Sequence, residues 1–278
     1  MFQRLTLAVA LAAALILLLV APAEAAAPHR IVSLSPTATE SLFAIGAGKQ
    51  VVAVDDQSDY PKRAPHTSLS GFTPNVEAIA SYRPDLVVVQ YDSGGVVEAL
   101  RKLDIRVLVQ PSAKNLTVAY AQIKQLGTIT AHKKAASTLV THMKRAIAKA
   151  IKTTPRRSLS VYHELSPDYY SATSKTFIGG IYKLFGLRNI ADAADSSSSG
   201  YPQLSGEYIL GANPALIVLA DTRCCGQSIA SVSGRPGWSN VAAVRTHSVV
   251  AVDDSVASRW GPRIVQFVQA VAKVLRRR

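Results

Sequence analysis

The segment NVEAIASYRPDLVVV at residues 75–89 indicates the fold, because its pattern returns in SGEYILGANPALIVL at residues 205–219. Glutamate, isoleucine, proline and leucine coincide at a constant offset of 130 residues. Each copy predicts a short helix with glutamate in its first turn, a break at proline, and a Val- and Ile-rich run typical of a buried strand. Two further strands, predicted at 30–34 and 159–163, are 129 residues apart. The repeat therefore predicts two similar α/β lobes.

A long helix is predicted between the two lobes. Across residues 132–152, apolar side chains recur at three- and four-residue steps while lysine and arginine fill the other face. Thr153, Thr154 and Pro155 end the pattern. We therefore place an N-terminal lobe at 29–128, the connecting helix at 131–153 and a C-terminal lobe at 157–278. The cleft between the lobes is the expected ligand site, and little hinge motion is expected because a helix is stiffer than a Gly/Ser linker.

The composition of the 278-residue chain is that of a globular protein. With 48% hydrophobic and 18% charged residues, it excludes a disordered chain, a collagen-like fibre and a multi-span membrane protein. The net charge of +13, from 31 Lys and Arg against 18 Asp and Glu, favours anionic partners. Because the basic residues are spread along the sequence without interleaved aromatics, we expect a solvated cationic surface and no nucleic-acid interface.

Residues 1–25 are typical of an export signal. Arg4 precedes an apolar run at 5–20, and Ala23-Glu24-Ala25 is the small-x-small pattern that signal peptidases cut. The alternative is an uncleaved anchor, although a 16-residue apolar run is short for a bilayer span. No cysteine follows the run as an acceptor for lipid. We expect a cleaved, soluble protein in the periplasm or an equivalent extracytoplasmic space.

The chain carries no recognisable catalytic or metal-binding motif. GxSxG, GxxxxGK[ST], HExxH and a GxGxxG after the first strand are all absent. The six histidines are scattered, whereas a zinc site needs three or four converging ligands. The pairs Asp55-Asp56 and Asp253-Asp254 are neighbours on strand ends, where adjacent side chains point apart. We therefore expect neither an enzyme nor a metal site made by the protein alone, and an exported metal-dependent enzyme is the alternative.

Polar and aromatic residues follow the predicted strands, at the edge where open parallel sheets bind ligands. These segments are 35–37, 55–57, 90–92, 164–170, 221–225 and 253–254. The alternative for any one of these residues is that it is an ordinary solvent-exposed loop residue without a role in ligand binding.

The only cysteines, Cys224 and Cys225, are adjacent and lie in one of these segments. In an oxidising compartment they can close only on each other or between molecules. We expect a vicinal disulfide, and the alternatives are two free thiols or contact with a metal or ligand.

Five ordered features resemble a known family. They are RIVSLSPTATE at 30–40, SDYP at 58–61, NVE at 75–77 with PDL at 84–86, YPQLS at 201–205 and SRWGPR at 258–263. In this order they are similar to the helical-backbone (class III) substrate-binding proteins of ABC importers, and above all to the branch that binds cobalamin (vitamin B12). Siderophore and haem binders are cousins of that branch. The likeness covers nearly all of residues 29–270.

The resemblance implies two Rossmann-like α/β lobes, one rigid helix, a shallow cleft for a bulky metal chelate, and no catalysis. It also implies that Glu77 and Glu207 dock onto arginines of the membrane permease. The alternative for each is a glutamate that stabilises a helix N-terminus. We therefore expect a monomeric receptor that delivers cobalamin to an importer. A ferric siderophore or haem is the alternative ligand, and no resident cofactor is expected.

The resemblance further implies which side chains contact the ligand. Tyr201, Arg259 and one of Tyr169 and Tyr170 stand at matching positions. Where the cobalamin branch often carries aromatics, this chain has Gln57 and Gly71, with Phe72 one place on. Haem binders coordinate iron through tyrosine or histidine, which Tyr91 or His163 could supply. The expected ligand set is Tyr60, Phe72, Tyr91, His163, Tyr169, Tyr170, Tyr201 and Arg259.

Overall fold

The computed structural model describes residues 26–277, so the predicted export signal lies outside the described residues. The N-terminal lobe contains β1 (Ile31–Leu34), α1 (Pro36–Ala44), β2 (Val51–Val54), α2 (Val76–Ser81), β3 (Leu86–Val89), α3 (Val96–Arg101), β4 (Arg106–Val109) and α4 (Leu116–Ile129). The connecting helix is α5 (Lys133–Lys152). The C-terminal lobe contains β5 (Ser160–Glu164), α6 (Phe177–Leu184), β6 (Arg188–Asn189), α7 (Gly206–Ala212), β7 (Leu216–Leu219), α8 (Ile229–Ser233), α9 (Ala242–Arg245), β8 (Val249–Ala251), α10 (Asp254–Ser258) and α11 (Ile264–Arg276).

Both lobes have the same sheet topology, which confirms the two similar α/β lobes. The strand order is β2-β1-β3-β4 in one sheet and β6-β5-β7-β8 in the other, and every pairing is parallel. The likeness extends to single residues of the repeat. Asn75 and Ser205 cap α2 and α7 through their side chains, and Arg83 and Asn213 both adopt a left-handed backbone, with φ of 49° and 45°.

Each sheet is covered on both faces because successive strand residues point to opposite sides. On one face, β3 residues such as Val88 and β7 residues such as Val218 join α5 and α11 in a single core that both lobes share. On the other face, Val87 packs with α2 and α3. Ile217 packs in the same way with α7 and α8. The helices that carry Glu77 and Glu207 therefore lie on the sheet faces opposite to α5.

The connecting helix packs along its apolar stripe between α4 and α11. Ala136, Val140 and Met143 are buried in this stripe. At Gly127 of α4 the two helices approach so closely that a Cβ atom would lie 2.3 Å from the Cβ atom of Ala136. This contact fixes the start of α5 against the N-terminal lobe. Among residues 26–277, no helix is both long enough and apolar enough to cross a bilayer.

Ligand binding is expected to leave the overall dimensions of the protein nearly unchanged. Residues 133–152 contain neither glycine nor proline, so α5 has no ready point at which to bend. Small-angle X-ray scattering with and without ligand should give nearly the same radius of gyration. A contraction of several ångströms would contradict a rigid connection.

Candidate ligand-binding cleft

The first cavity of the cleft lies at the carboxyl ends of β1, β2 and β3. Its volume is about 200 Å³, and it is lined by Leu34, Pro36, Asp55, Gln57, Gly71, Phe72, Gln90, Tyr91 and, from the other lobe, Arg259. The rings of Phe72 and Tyr91 are tilted by 49°, with their centroids 6.1 Å apart. Phe72 is 65% exposed, which is unusual for a phenylalanine. The two rings form an apolar wall that is open to a ligand.

Gly71 shows why the aromatic side chain stands one position later in this chain. A Cβ atom at Gly71 would lie 2.8 Å from the carbonyl oxygen of Leu34 and 2.9 Å from Oδ2 of Asp55. Both neighbours are held in place, since Leu34 ends β1 and Asp55 is buried. No side chain fits there, so Phe72 supplies the ring. Burial also raises the pKa of Asp55 to about 6.

A second cavity spans the two lobes. Its volume is about 360 Å³, and Ser112, Ala113 and Lys114 line it from the N-terminal lobe. From the C-terminal part of the chain it is lined by Lys175, Thr176, Phe177, Ile178, Ser198, Ser199, Gly200, Tyr201, Ser258 and Trp260. Tyr201 is 48% exposed, so its ring faces solvent within this cavity. Trp260 is fixed by an Nε1–H that donates to Gln122 at 2.8 Å.

Arg259 lines the first cavity and also ties the lobes together. Its Nη1 donates to Asp59 at 2.7 Å and to Glu40 at 3.0 Å, and its Nη2 donates to the carbonyl oxygen of Gln57 at 2.8 Å. Arg263 pairs with the same Glu40, and Arg223 pairs with Asp59 at 2.9 Å. Partial burial would raise the pKa of Asp59, but Arg259 and then Arg223 outweigh that effect and lower it. The guanidinium of Arg259 is thus committed to protein groups of the opposite lobe.

The structure does not bring His163 to the cleft. β5 extends one residue beyond the predicted strand end, through Glu164, so His163 lies inside the strand and not at its cleft end. Its side chain is fully buried in the shared core, where Nδ1 lies 2.6 Å from the Tyr182 hydroxyl and the ring packs against Phe267. Burial lowers the pKa of His163 to about 3, so the imidazole is neutral. The predicted role as a ligand contact is therefore corrected to that of a core residue.

Tyr60 also lies away from the two cleft cavities. Its ring packs under the guanidinium of Arg263 at 4.2 Å. It lines a cavity of about 410 Å³ with α5 residues Leu139, His142 and Met143. That cavity is on the connecting-helix side of the molecule. The SDYP segment thus contributes Asp59 to the lobe interface and Tyr60 to a different surface.

Tyr169 and Tyr170 diverge in the C-terminal lobe. Tyr169 stacks on Trp238 with centroids 6.0 Å apart, and Arg235 lies over its ring at 5.3 Å. It lines an open cavity of about 610 Å³ that also contains Glu207. Tyr170 is exposed, and its backbone carbonyl accepts from the Leu165 N–H. Neither tyrosine lines the cavities of Phe72 and Tyr201 among the residues described.

Glu77 and Glu207 occupy equivalent, exposed places. Each is the second residue of its helix, α2 or α7, and two residues later comes a fully buried isoleucine, Ile79 or Ile209. The helices lie on corresponding faces of the two sheets. The structure therefore presents one carboxylate from each lobe to solvent, related by the internal repeat.

Cys224 and Cys225 form the vicinal disulfide that the sequence predicts. The bridge is exposed, in the loop after β7. Asp254 holds this loop, because its carboxylate accepts from the backbone N–H groups of Arg223 and Cys224 and from the Thr222 hydroxyl. The loop in turn places Arg223 on Asp59 of the other lobe. Within the described part of the chain, no three His, Cys, Asp or Glu side chains are grouped to hold a metal ion.

A buried acidic pair lies beside the cleft ends of β5 and β7, and its two residues begin the polar segments predicted at 164–170 and 221–225. Glu164 and Asp221 are both fully buried. Arg235 makes a bidentate pair with Glu164, at 2.7 Å for each bond, whereas neither carboxylate oxygen of Asp221 has a hydrogen-bond partner among the described residues. Burial, followed by repulsion from Glu164, raises the pKa of Asp221 to about 7. The sequence predicts the position of both residues at strand ends, but no local pattern indicates that their carboxyl groups are buried side by side.

Raising the pH is expected to destabilise the fold through Asp221. Its pKa is about 7 in the folded protein against 3.8 for a free side chain. Between these values the folded state binds more protons, so the free energy of unfolding decreases as the pH rises through this range. Asp221→Asn keeps the site uncharged at every pH, so the variant should be more stable than the wild type at about pH 8. This difference in the free energy of unfolding should be smaller at about pH 5, where the wild-type carboxyl is protonated. Urea unfolding at both pH values measures the difference, and an equal difference at both would contradict the assignment.

Comparison with known proteins agrees with this architecture. Residues 31–256 match the family model described as periplasmic binding protein. An ABC transporter substrate-binding lipoprotein of Bacillus subtilis (strain 168) is 31% identical, covering 88% of this chain and 79% of that protein. A cobalamin-binding protein of Halobacterium salinarum is 32% identical, and the match covers 88% of this chain and 69% of that protein. The crystal structure of the periplasmic vitamin B12-binding protein of Vibrio cholerae superposes with a TM-score of 0.74 and 26% sequence identity, over 89% of this chain and 96% of that chain. The chain therefore belongs to the periplasmic binding protein family.

Proposed function

We propose that this protein is the extracytoplasmic substrate-binding component of an ABC importer and that its ligand is a corrinoid, cobalamin. The observation that carries the proposal is the pair of cavities between the lobes, into which Phe72, Tyr91 and Tyr201 expose aromatic rings. Exposed apolar surface of this kind marks a binding site. The names of the two prokaryotic cobalamin- and B12-binding relatives support the same ligand class.

The cleft suits a large, flat ligand with polar edges. The rings of Phe72 and Tyr91 supply apolar area from one lobe, and Tyr201 supplies it from the other. Gln57, Gln90 and the serines at 198–199 offer amide and hydroxyl groups at the margins. A corrin ring that carries amide side chains has this combination of an apolar face and hydrogen-bonding edges. The rigid α5 connection holds both halves of the site in register before the ligand arrives, which reduces the ordering cost of binding.

Haem or a ferric siderophore is the alternative ligand. Coordination of ferric iron by tyrosine needs the phenolate form. Slight desolvation, followed by repulsion from Asp55, raises the pKa of Tyr91 in the free protein, whereas a bound ferric ion would itself stabilise the phenolate. His163 is buried in the core and is out of reach of a ligand in the cleft. The burial of His163 thus removes the one histidine expected to coordinate iron, which favours a corrinoid over haem.

Delivery to the permease is assigned to Glu77 and Glu207. Each is exposed at the start of a helix on its own lobe. A permease with two similar halves could contact one carboxylate with each half. In a protein with a net charge of +13, local acidic positions are needed for approach to basic groups. We propose that the protein works as a monomer, binds no nucleic acid and catalyses no reaction.

The function is tested by uptake in cells that lack the gene. Labelled cobalamin, haem and a ferric siderophore are supplied separately to the wild type, the deletion strain and the deletion strain that carries a plasmid copy. We expect cobalamin uptake alone to fall in the deletion strain and to return with the plasmid. A loss confined to haem or the siderophore would reassign the ligand, and unchanged uptake of all three would refute the importer role.

A further inference from the structure

The positive charge of this protein is segregated in a way that the folded molecule reveals. No aspartate or glutamate occurs in residues 105–163, which hold eleven lysines and arginines, and none occurs after Asp254, where six more basic residues follow. The first stretch includes α4 and α5, and the second includes α11. These helices pack on one another, so the fold brings their cations together on one side of the molecule, whereas Lys114 and Arg259 of the same stretches line the cleft.

The centre of this side is a groove between α5 and α11, which we call the cationic groove. Its volume is about 640 Å³, and it is lined by His142, Arg145, Ala146, Lys149, Ala150, Thr153, Gln269, Lys273 and Arg276. None of the lining residues is acidic. The Arg276 guanidinium donates to the hydroxyl of Thr154 at 3.3 Å and so ties the end of α11 to the end of α5. The groove is therefore a fixed feature of two packed helices.

The cations of this groove differ from the arginines that pair with carboxylates elsewhere in the protein. Arg223, Arg235, Arg259 and Arg263 each pair with one or more carboxylates. In contrast, within residues 26–277 none of Arg145, Lys149 and Lys273 forms an ion pair, and all three are exposed. Their charge is thus available to an external anion.

We propose that the cationic groove is a docking surface for anionic phospholipid headgroups of a membrane. Several positive charges on two packed helices, with no acidic residue lining the groove between them, match an extended anionic surface better than a single small ion. The charge lies on the sheet faces opposite to α2 and α7, so a planar membrane at the groove leaves Glu77 and Glu207 facing away. A protein held in this way would have to turn over before a permease could meet both glutamates. The inference does not depend on which ligand the cleft binds.

Vesicle sedimentation tests the proposal on protein recovered from the extracytoplasmic fraction. Vesicles of phosphatidylcholine alone are compared with vesicles that contain phosphatidylglycerol and phosphatidylcholine in equal parts. We expect binding only to the anionic vesicles, and its loss at high salt, since surface charges are screened there. Binding to phosphatidylcholine alone would instead report an apolar contact and would overturn the proposal.

Lys149→Glu with Lys273→Glu changes one cation on each wall of the groove. The control is Arg101→Glu with Arg245→Glu, which makes the same change of net charge on α3 and α9, on the opposite sheet faces. Since each basic residue near an anionic membrane contributes about fivefold in affinity, the groove variant should bind at least about 25-fold more weakly, and the control much less so. Equal losses in both would show binding by overall charge and would refute the groove. Groove-dependent binding of soluble polyphosphate without binding to vesicles would refute the membrane as its partner.

Discussion

Replacing Phe72, Tyr91 and Tyr201 together by alanine is expected to weaken ligand binding on the order of a hundredfold. The three rings expose apolar area to the cleft from both lobes, and loss of a buried aromatic contact in a complex costs roughly 1 kcal/mol or more. The rings are exposed in the free protein, so their removal leaves the core intact. Titration of the ligand into the wild type and the variant measures the ratio of the two dissociation constants.

Tyr60→Ala is the matched control for this prediction. Tyr60 is 45% exposed, close to the 48% of Tyr201, but it lies with Arg263 on the connecting-helix side. Its removal should leave affinity within about twofold. Arg259 is left unchanged in these variants, because its loss would deprive buried Glu40 and the half-buried Asp59 of a partner and confound binding with stability. If the triple variant binds as tightly as the wild type, the ligand does not occupy the cleft.

Reversing both repeat-related glutamates, Glu77→Lys with Glu207→Lys, is expected to abolish transport and to spare binding. The two carboxylates are exposed and outside the cavities of Phe72 and Tyr201, so ligand affinity in solution should stay within about twofold. The two lysines would face basic groups of the permease, and this repulsion would cost several kcal/mol of docking free energy. Uptake by cells and titration of the purified protein give the two readouts.

A control for docking is Glu98→Lys with Asp104→Lys. It makes the same change of net charge at exposed positions on and just after α3. Uptake by this variant should remain near that of the wild type. Normal uptake by the Glu77 and Glu207 variant would show that these residues merely stabilise helix N-termini. Loss of ligand binding in the same variant would place them in the binding site.

The fold was accessible from the sequence because the same segment is used twice. The Glu-Ile-Pro-Leu pattern at an offset of 130 residues predicts two units, and the structure repeats their caps, left-handed residues and strand order. The connecting helix was predictable because its apolar period is unbroken by glycine or proline. These features depend on local sequence and on burial, which periodicity records.

Individual site residues were harder to predict because they depend on where a strand ends and what lies across the cleft. β5 continues one residue beyond the predicted strand, so His163 lies in the strand interior with its side chain in the core and not at the cleft end. Arg259 meets Glu40 and Asp59, about 200 positions away in the chain, and no local pattern announces that contact. The basic residues that look scattered in the sequence are gathered by the packing of α5 on α11. Such groupings appear only when the chain is folded.

Capture of a corrinoid in the cleft is tested by the absorbance of ligand that stays with the protein through gel filtration. The protein is incubated separately with cyanocobalamin, haem and a ferric siderophore, and the visible spectrum of the protein fraction is recorded. A corrinoid spectrum at one ligand per protein, lost in the triple variant of Phe72, Tyr91 and Tyr201, is the predicted result. Retention of haem or the siderophore instead, or a colourless protein fraction in all three cases, would contradict capture of a corrinoid in the cleft.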